Sequence, residues 1–116
     1  MSVELGHSQA LRLLHDVALK QVRDGGFDLS NRQLAILLTI YLELPPHTVR
    51  GLAQKLMVTK PVITRALDAM GEVDLVARRR DPADRRNVIV QRTVQGSLFL
   101  EKLGDLVISQ AKALPA

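Results

Sequence analysis

The run from Thr48 to Thr93 constrains this chain most, because it sets two short amphipathic helical patterns three residues apart and follows them with two basic, extended segments. In the second pattern Ile63, Ala66, Leu67 and Met70 recur at i, i+3, i+4 and i+7, which places them on one buried stripe of an α-helix. The opposite stripe carries Pro61, Thr64, Arg65, Asp68 and Glu72. Since Lys60 and Arg65 precede Asp68 and Glu72, only the N-terminal half of this helix can approach an anion without repulsion. Thr59 offers a capping hydroxyl, and Pro61 fits the first turn, where a missing N–H loses no partner. Pro61 also disfavours α geometry at Lys60, so the start is expected at Lys60 or one residue later.

Upstream, Val49, Leu52, Ala53 and Leu56 form another short stripe with Thr48 as its cap, and only Met57, Val58 and Thr59 separate the two patterns. Three residues force the two helices to cross steeply and share a core. That spacing serves a DNA-binding pair and a plain helical bundle equally well. The segment after it shifts the balance. From Leu75 the sequence reads LVARRR and then NVIVQRT around Asp81-Pro82-Ala83-Asp84. Pro82 fixes φ and each aspartate can accept local backbone hydrogen bonds, so a two-stranded hairpin is expected. Arg78, Arg79, Arg80, Arg85 and Arg86 crowd into it. They repel one another unless an anion lies near or Asp81 and Asp84 neutralise part of the charge. A solvated edge hairpin that uses charge to block strand pairing has the same composition. Directly after a helix pair, nucleic acid is the preferred reading.

Four pieces in this stretch also resemble the DNA-binding module of the multiple-antibiotic-resistance regulator (MarR) family of bacterial transcription factors. They are Thr-Val-Arg-Gly-Leu-Ala at 48–53, Val-Thr-Lys-Pro-Val-Ile-Thr-Arg-Ala-Leu-Asp at 58–68, Asp-Pro-Ala-Asp-Arg-Arg at 81–86 and Thr-Val-Gln-Gly at 93–96. The resemblance implies a homodimer on a pseudo-palindromic double-stranded DNA operator, with the helix from Lys60 in the major groove and the hairpin, or wing, at the minor groove. In that family an Asp-x-Arg pairs an acid with a groove-inserting arginine, which falls here on Asp84 and Arg86. The DNA face expected from residues and resemblance together is Arg50, Thr59, Lys60, Pro61, Thr64, Arg65, Arg78, Arg80, Asp84, Arg85 and Arg86. Family members often respond to small aromatic effectors held between the module and the dimer helices, and no residue of this sequence singles out such a ligand. Three departures stand out. Asp74 occupies the place of a helix-ending glycine while Gly71 sits inside the helix; Arg92 replaces a leucine before Thr93; and only Ser97 to Ala116 follow the module, where the family continues through two dimerisation helices.

The rest of the chain fits one domain over 1–116, mainly α with a small β-hairpin: a winged helix-turn-helix module at about 45–96, flanked by N- and C-terminal dimerisation helices at about 7–24 and 94–114. With 47% hydrophobic but only 3% aromatic residues among 116, its core must be aliphatic. The net charge of +4 arises in the module, because residues 45–92 hold ten bases against five acids. No cysteine is present, which excludes disulfides, thiolate metal sites and thiol switches. Neither a signal peptide nor an apolar run of about 20 residues occurs, so a cytoplasmic, nucleoid-associated protein is expected.

From His7 to about Arg23, Leu11, Leu14, Ala18 and Val22 form one apolar strip, with Leu13 and Val17 beside it, before Asp24-Gly25-Gly26 ends the helix. Ser30 and Gln33 form a capping-box pattern for a second helix with Leu34, Leu37, Leu38 and Tyr41 inward, stopped by Pro45-Pro46. After Thr93, another cap, Leu98, Phe99, Leu100, Leu103, Leu106, Val107 and Ile108 nearly encircle a helix, which must then be covered on several sides. A buried core helix would satisfy this; a two-fold interface built from Leu11, Leu14, Phe99, Leu103 and Val107 is preferred, since one small module cannot cover both terminal helices.

Catalytic constellations are missing from the sequence. His7, His15 and His47 lie on separate segments without partners at metal-ligand spacing, and five arginines beside Asp81 and Asp84 would repel a cation. No phosphate loop or nucleophile elbow occurs, and no cofactor is expected. The expected function is a dimeric, sequence-specific regulator that represses by occupying an operator. The alternative is a winged-helix protein-interaction module or antirepressor whose arginines meet acidic residues of a partner.

Overall fold

Ser30 starts α2 (Asn31–Leu42) with the expected capping box: its hydroxyl accepts the Gln33 N–H at 3.1 Å, and the Gln33 side chain accepts the Ser30 N–H at 2.8 Å. Two of the four orphan amides of the first turn region are thereby exchanged reciprocally. The computed structural model describes residues 3–24 and 26–115. Its other elements are α1 (His7–Arg23), β1 (His47–Thr48), α3 (Val49–Leu56), α4 (Lys60–Glu72), β2 (Val76–Arg80), β3 (Val88–Arg92) and α5 (Val94–Lys112). Leu29–Leu100 forms one compact unit, and the segments up to Asp28 and from Glu101 onward form another.

The first of these holds the buried core. Ile36, Leu37 and Ile40 of α2 pack with Leu52 and Ala53 of α3, Ile63, Ala66, Leu67 and Met70 of α4, and Leu75, Val76 and Val90 of the sheet region. The stripe expected on α4 is buried in full. On α2 the expected inward set is corrected: Leu37 is buried, but Leu34, Leu38 and Tyr41 are only half-buried, and Ile36 and Ile40 face the core instead. Between Leu34 and Leu42 only Thr39 and Tyr41 carry polar atoms, so the apolar residues nearly encircle the helix and periodicity alone cannot fix its phase.

α3 is capped by Thr48, whose hydroxyl accepts the Gly51 N–H at 3.0 Å. It ends with Met57 in left-handed geometry at φ 59° and the Val58 N–H on the Ala53 carbonyl at 3.0 Å. α4 begins at Lys60, and Thr59 occupies the N-cap without a side-chain hydrogen bond, contrary to its expected capping role; Pro61 in the first turn already removes one of the amides a cap would serve. At its far end Asp74 turns left-handed at φ 59°, and the Leu75 N–H reaches back to the Met70 carbonyl at 2.9 Å. This is the Schellman ending, normally made with glycine, and the apolar pair it brings together, Leu75 and Met70, is buried.

The sheet is antiparallel in the order β1-β3-β2. β2 and β3 form the expected hairpin, with Val76 opposite Arg92 and Arg80 opposite Val88. A third strand, β1, pairs His47 with Val90 and Thr48 with Ile89; two residues are too few to display the alternation by which a strand is recognised. α5 starts at the expected cap, where the Gly96 N–H donates to the Thr93 hydroxyl at 2.9 Å.

In the second unit α1 runs from His7 to Arg23, and Gly25 of the expected stop lies outside the described residues. The Gln9 side-chain amide donates to the Pro115 carbonyl at 3.1 Å. α1 has no buried residue, and Leu11, Leu14 and Val22 are more than half exposed.

Candidate nucleic-acid interface

A helix that buries Ile63, Ala66, Leu67 and Met70 must present the residues between them to solvent. Thr59, Lys60, Pro61, Thr64 and Arg65 are accordingly all exposed along the N-terminal half of α4. Among the described residues Lys60 and Arg65 take part in no ion pair.

Strand alternation sorts the wing arginines. Val76 and Val90 are buried, so their sheet face looks toward the helices, and the register puts Arg78 and Arg80 on that face and Arg79 on the other. Arg78 meets α4 directly: its guanidinium Nη2 lies 2.8 Å from Asp68 Oδ1. Arg80 Nη1 donates to the Arg85 carbonyl at 2.7 Å, bracing the loop.

The loop between the strands is built by its aspartates, as expected. Asp81 Oδ1 accepts the Ala83 N–H at 2.9 Å and Asp84 Oδ1 accepts the Arg86 N–H at 3.1 Å. Asp84 also takes the Arg86 guanidinium in a fork, Nε to Oδ1 at 3.1 Å and Nη2 to Oδ2 at 3.3 Å. Hydrogen bonds from the Arg86 side chain, then from its backbone N–H, hold the Asp84 carboxyl below its ordinary value; slight desolvation opposes them and the charge of Arg50 assists. Arg50 is exposed at the start of α3. Thus Lys60, Thr64 and Arg65 share the outer stripe of α4, Asp84, Arg85 and Arg86 share the wing loop, and Arg78 is drawn into a pair with α4.

Two features escape the sequence reading. Arg92 donates through Nε to the Ile40 carbonyl at 3.2 Å and through Nη2 to the Tyr41 carbonyl at 2.9 Å, with its guanidinium carbon 5.2 Å from the Tyr41 ring centroid. It thereby satisfies last-turn carbonyls of α2, which a leucine cannot do. Tyr41 in turn donates its hydroxyl to the Thr93 carbonyl at 2.8 Å and accepts the Thr93 N–H at 3.1 Å. No sequence signal marks these bonds, because their partners lie about fifty residues apart.

His47 Nε2 sits 3.1 Å from the Glu43 carbonyl, and His15 pairs with neighbouring Asp16 at 2.9 Å. Among the described residues no three His, Cys, Asp or Glu side chains converge on a metal position, and no helix is long and apolar enough to cross a membrane.

A short helix pair that offers bases and hydroxyls from the N-terminal half of its second member, with an arginine-bearing wing beside it, defines a winged helix-turn-helix of the DNA-binding regulator class. The chain belongs to the MarR family, whose model matches residues 29–88. Solved structures agree. The transcriptional regulator Tm0710 from Thermotoga maritima is 25% identical with a TM-score of 0.66, over 91% of this chain and 69% of that one. The MepR–DNA complex of S. aureus is 20% identical with a TM-score of 0.78, over 91% and 85%. The transcriptional repressor CouR, bound to a 23-mer DNA duplex, is 23% identical with a TM-score of 0.71, over 97% and 84%. No curated protein matches the chain. Family and fold are those of DNA-binding transcription regulators.

Proposed function

We propose that this protein is a homodimeric repressor that reads a pseudo-palindromic operator overlapping a promoter, in the cytoplasm at the nucleoid. The observation that carries this is the combination of Arg65, exposed on the outer stripe of α4 and in no ion pair among the described residues, with an Arg86 held by Asp84 on the wing. Arg65 stands where a guanidinium can give two hydrogen bonds to guanine O6 and N7, and Thr64 beside it can reach a base edge. Arg86 enters the minor groove, aimed by Asp84. Arg50, Thr59, Lys60, Arg80 and Arg85 surround these readers and position the duplex through its phosphates, with Pro61 packing against the DNA without a hydrogen bond. MepR and CouR, of the same fold, are known in complex with DNA, which supports this docking.

The test is recovery of bound fragments from random duplex DNA, then titration of variants on the recovered operator and on a scrambled duplex across a salt series. Arg65→Ala loses about 1 to 3 kcal/mol on the operator and little on scrambled DNA. Arg86→Ala weakens both and lowers the salt slope by about one unit. Equal losses on both duplexes for Arg65→Ala would mean that α4 does not read bases; failure to retain any fragment while a protein partner is retained would favour an interaction module.

A further inference from the structure

Resting on that reading, we infer that Arg78 is a positioning residue rather than a phosphate contact: its pair with Asp68 sets the wing against the recognition helix, and so sets which base step Arg86 reaches relative to those read by Arg65. Three observations carry this. Arg78 lies on the face of β2 shared with buried Val76, turned toward the helices, and its Nη2 is 2.8 Å from Asp68 Oδ1. Gly71, one turn beyond Asp68, borders the arm: a Cβ placed there would lie in ordinary contact, 3.8 Å from Arg78 Nη2, so the guanidinium lies along this face of α4. And Asp68 stands on the same outward stripe as Thr64 and Arg65, where an unpaired carboxylate would repel a phosphate backbone. The two charges of the pair sum to zero within the protein, so the pair as a whole adds no net attraction for DNA.

The pair is solvent-accessible, with side-chain exposures of 32% and 57%, and pairs of this kind add little to stability. Breaking it therefore leaves the fold intact and isolates its effect on orientation. The expected consequence is a loss of discrimination rather than of affinity for DNA in general.

The experiment compares the protein with Asp68→Asn, Arg78→Gln and the charge swap Asp68→Arg with Arg78→Asp. In the free protein, residual dipolar couplings of wing amides relative to those of α4 are expected to change in both single variants and to return in the swap. On DNA, each single variant is expected to lose about five- to tenfold more on the operator than on scrambled duplex, and the swap to recover most of that difference. The salt slope of Arg78→Gln stays that of the parent protein. Unchanged couplings in the single variants overturn the inference even if no operator is found. So does a slope lowered by about one unit on both duplexes for Arg78→Gln, which marks a direct phosphate contact, and so does tighter binding to both duplexes by Asp68→Asn, which marks a carboxylate that only repels. Absence of any DNA binding, with the couplings behaving as expected, would sink the repressor reading and leave the positioning of the wing standing.

Discussion

Asp74 shows how a single residue can carry a conformation it does not favour. Its φ of 59° lies in the left-handed region, which suits glycine better than any side chain. Among the described residues its carboxylate makes no hydrogen bond that would compensate; its carbonyl, by contrast, accepts the Thr93 hydroxyl at 2.7 Å, a bond glycine keeps. Asp74→Gly is therefore expected to raise stability by about 0.5 to 1 kcal/mol, the relief of strain outweighing the added freedom of the unfolded chain. Urea denaturation measures it, and a lower midpoint at unchanged slope would contradict it. Asp84 supplies a second prediction at this scale. Its folded pKa is depressed below 3.8 by the Arg86 hydrogen bonds, so its contribution is complete above the unfolded value and fades as pH falls through the lower, folded one. Near neutrality the wing pair should thus be indifferent to pH. A carboxyl NMR titration of Asp84 should give a midpoint under 3.8, returning toward it in Arg86→Ala; an unmoved midpoint would detach the carboxylate from its arginine.

Elements meet closely where α5 begins. Gly96 is buried, and a Cβ placed on it would press into the Leu75 carbonyl and the Tyr41 hydroxyl. Alanine would gain about 0.8 to 1 kcal/mol of helix propensity there, but overpacking against backbone costs typically about 1 to 3 kcal/mol. Gly96→Ala is expected to destabilise on balance, with a lower thermal midpoint as the check. The same elements explain what could be read in advance. α4 has one polar and one apolar side, so its buried stripe, the helix pair and the wing were all legible from spacing, and the aspartate-built wing loop from composition. α2 is apolar almost all round, so its inward face had to come from packing. β1 is stabilised by pairing with β3 rather than by any pattern of its own. The exposed stripe of α4 was legible from spacing, whereas the engagement of Arg78 by Asp68 depends on where β2 passes, which short-range patterns do not encode.

At the scale of the whole molecule, the terminal helices leave apolar surface that a lone chain cannot hide: Leu11 and Leu14 are about two-thirds exposed at 65% and 67%, and Ile108 is 54% exposed. In the proposed dimer this surface is the interface, and a pseudo-palindromic operator requires the two copies of α4 to stand about one DNA turn, roughly 34 Å, apart. Sedimentation at micromolar concentration should find a dimer, with Leu14→Asp shifting it toward monomer; a monomeric parent protein would refute the assembly and with it the pseudo-palindrome. Tyr41 makes the melting of this molecule unusually easy to follow. The chain has one tyrosine and no tryptophan, so its intrinsic fluorescence comes from a single ring, held under Arg92 and bonded to Thr93 at the start of α5. That emission watches one joint, while far-ultraviolet circular dichroism watches every helix, including α1. Coincident curves would mean that the two compact units unfold as one cooperative body, and separated curves that the Leu29–Leu100 unit and the terminal segments melt independently.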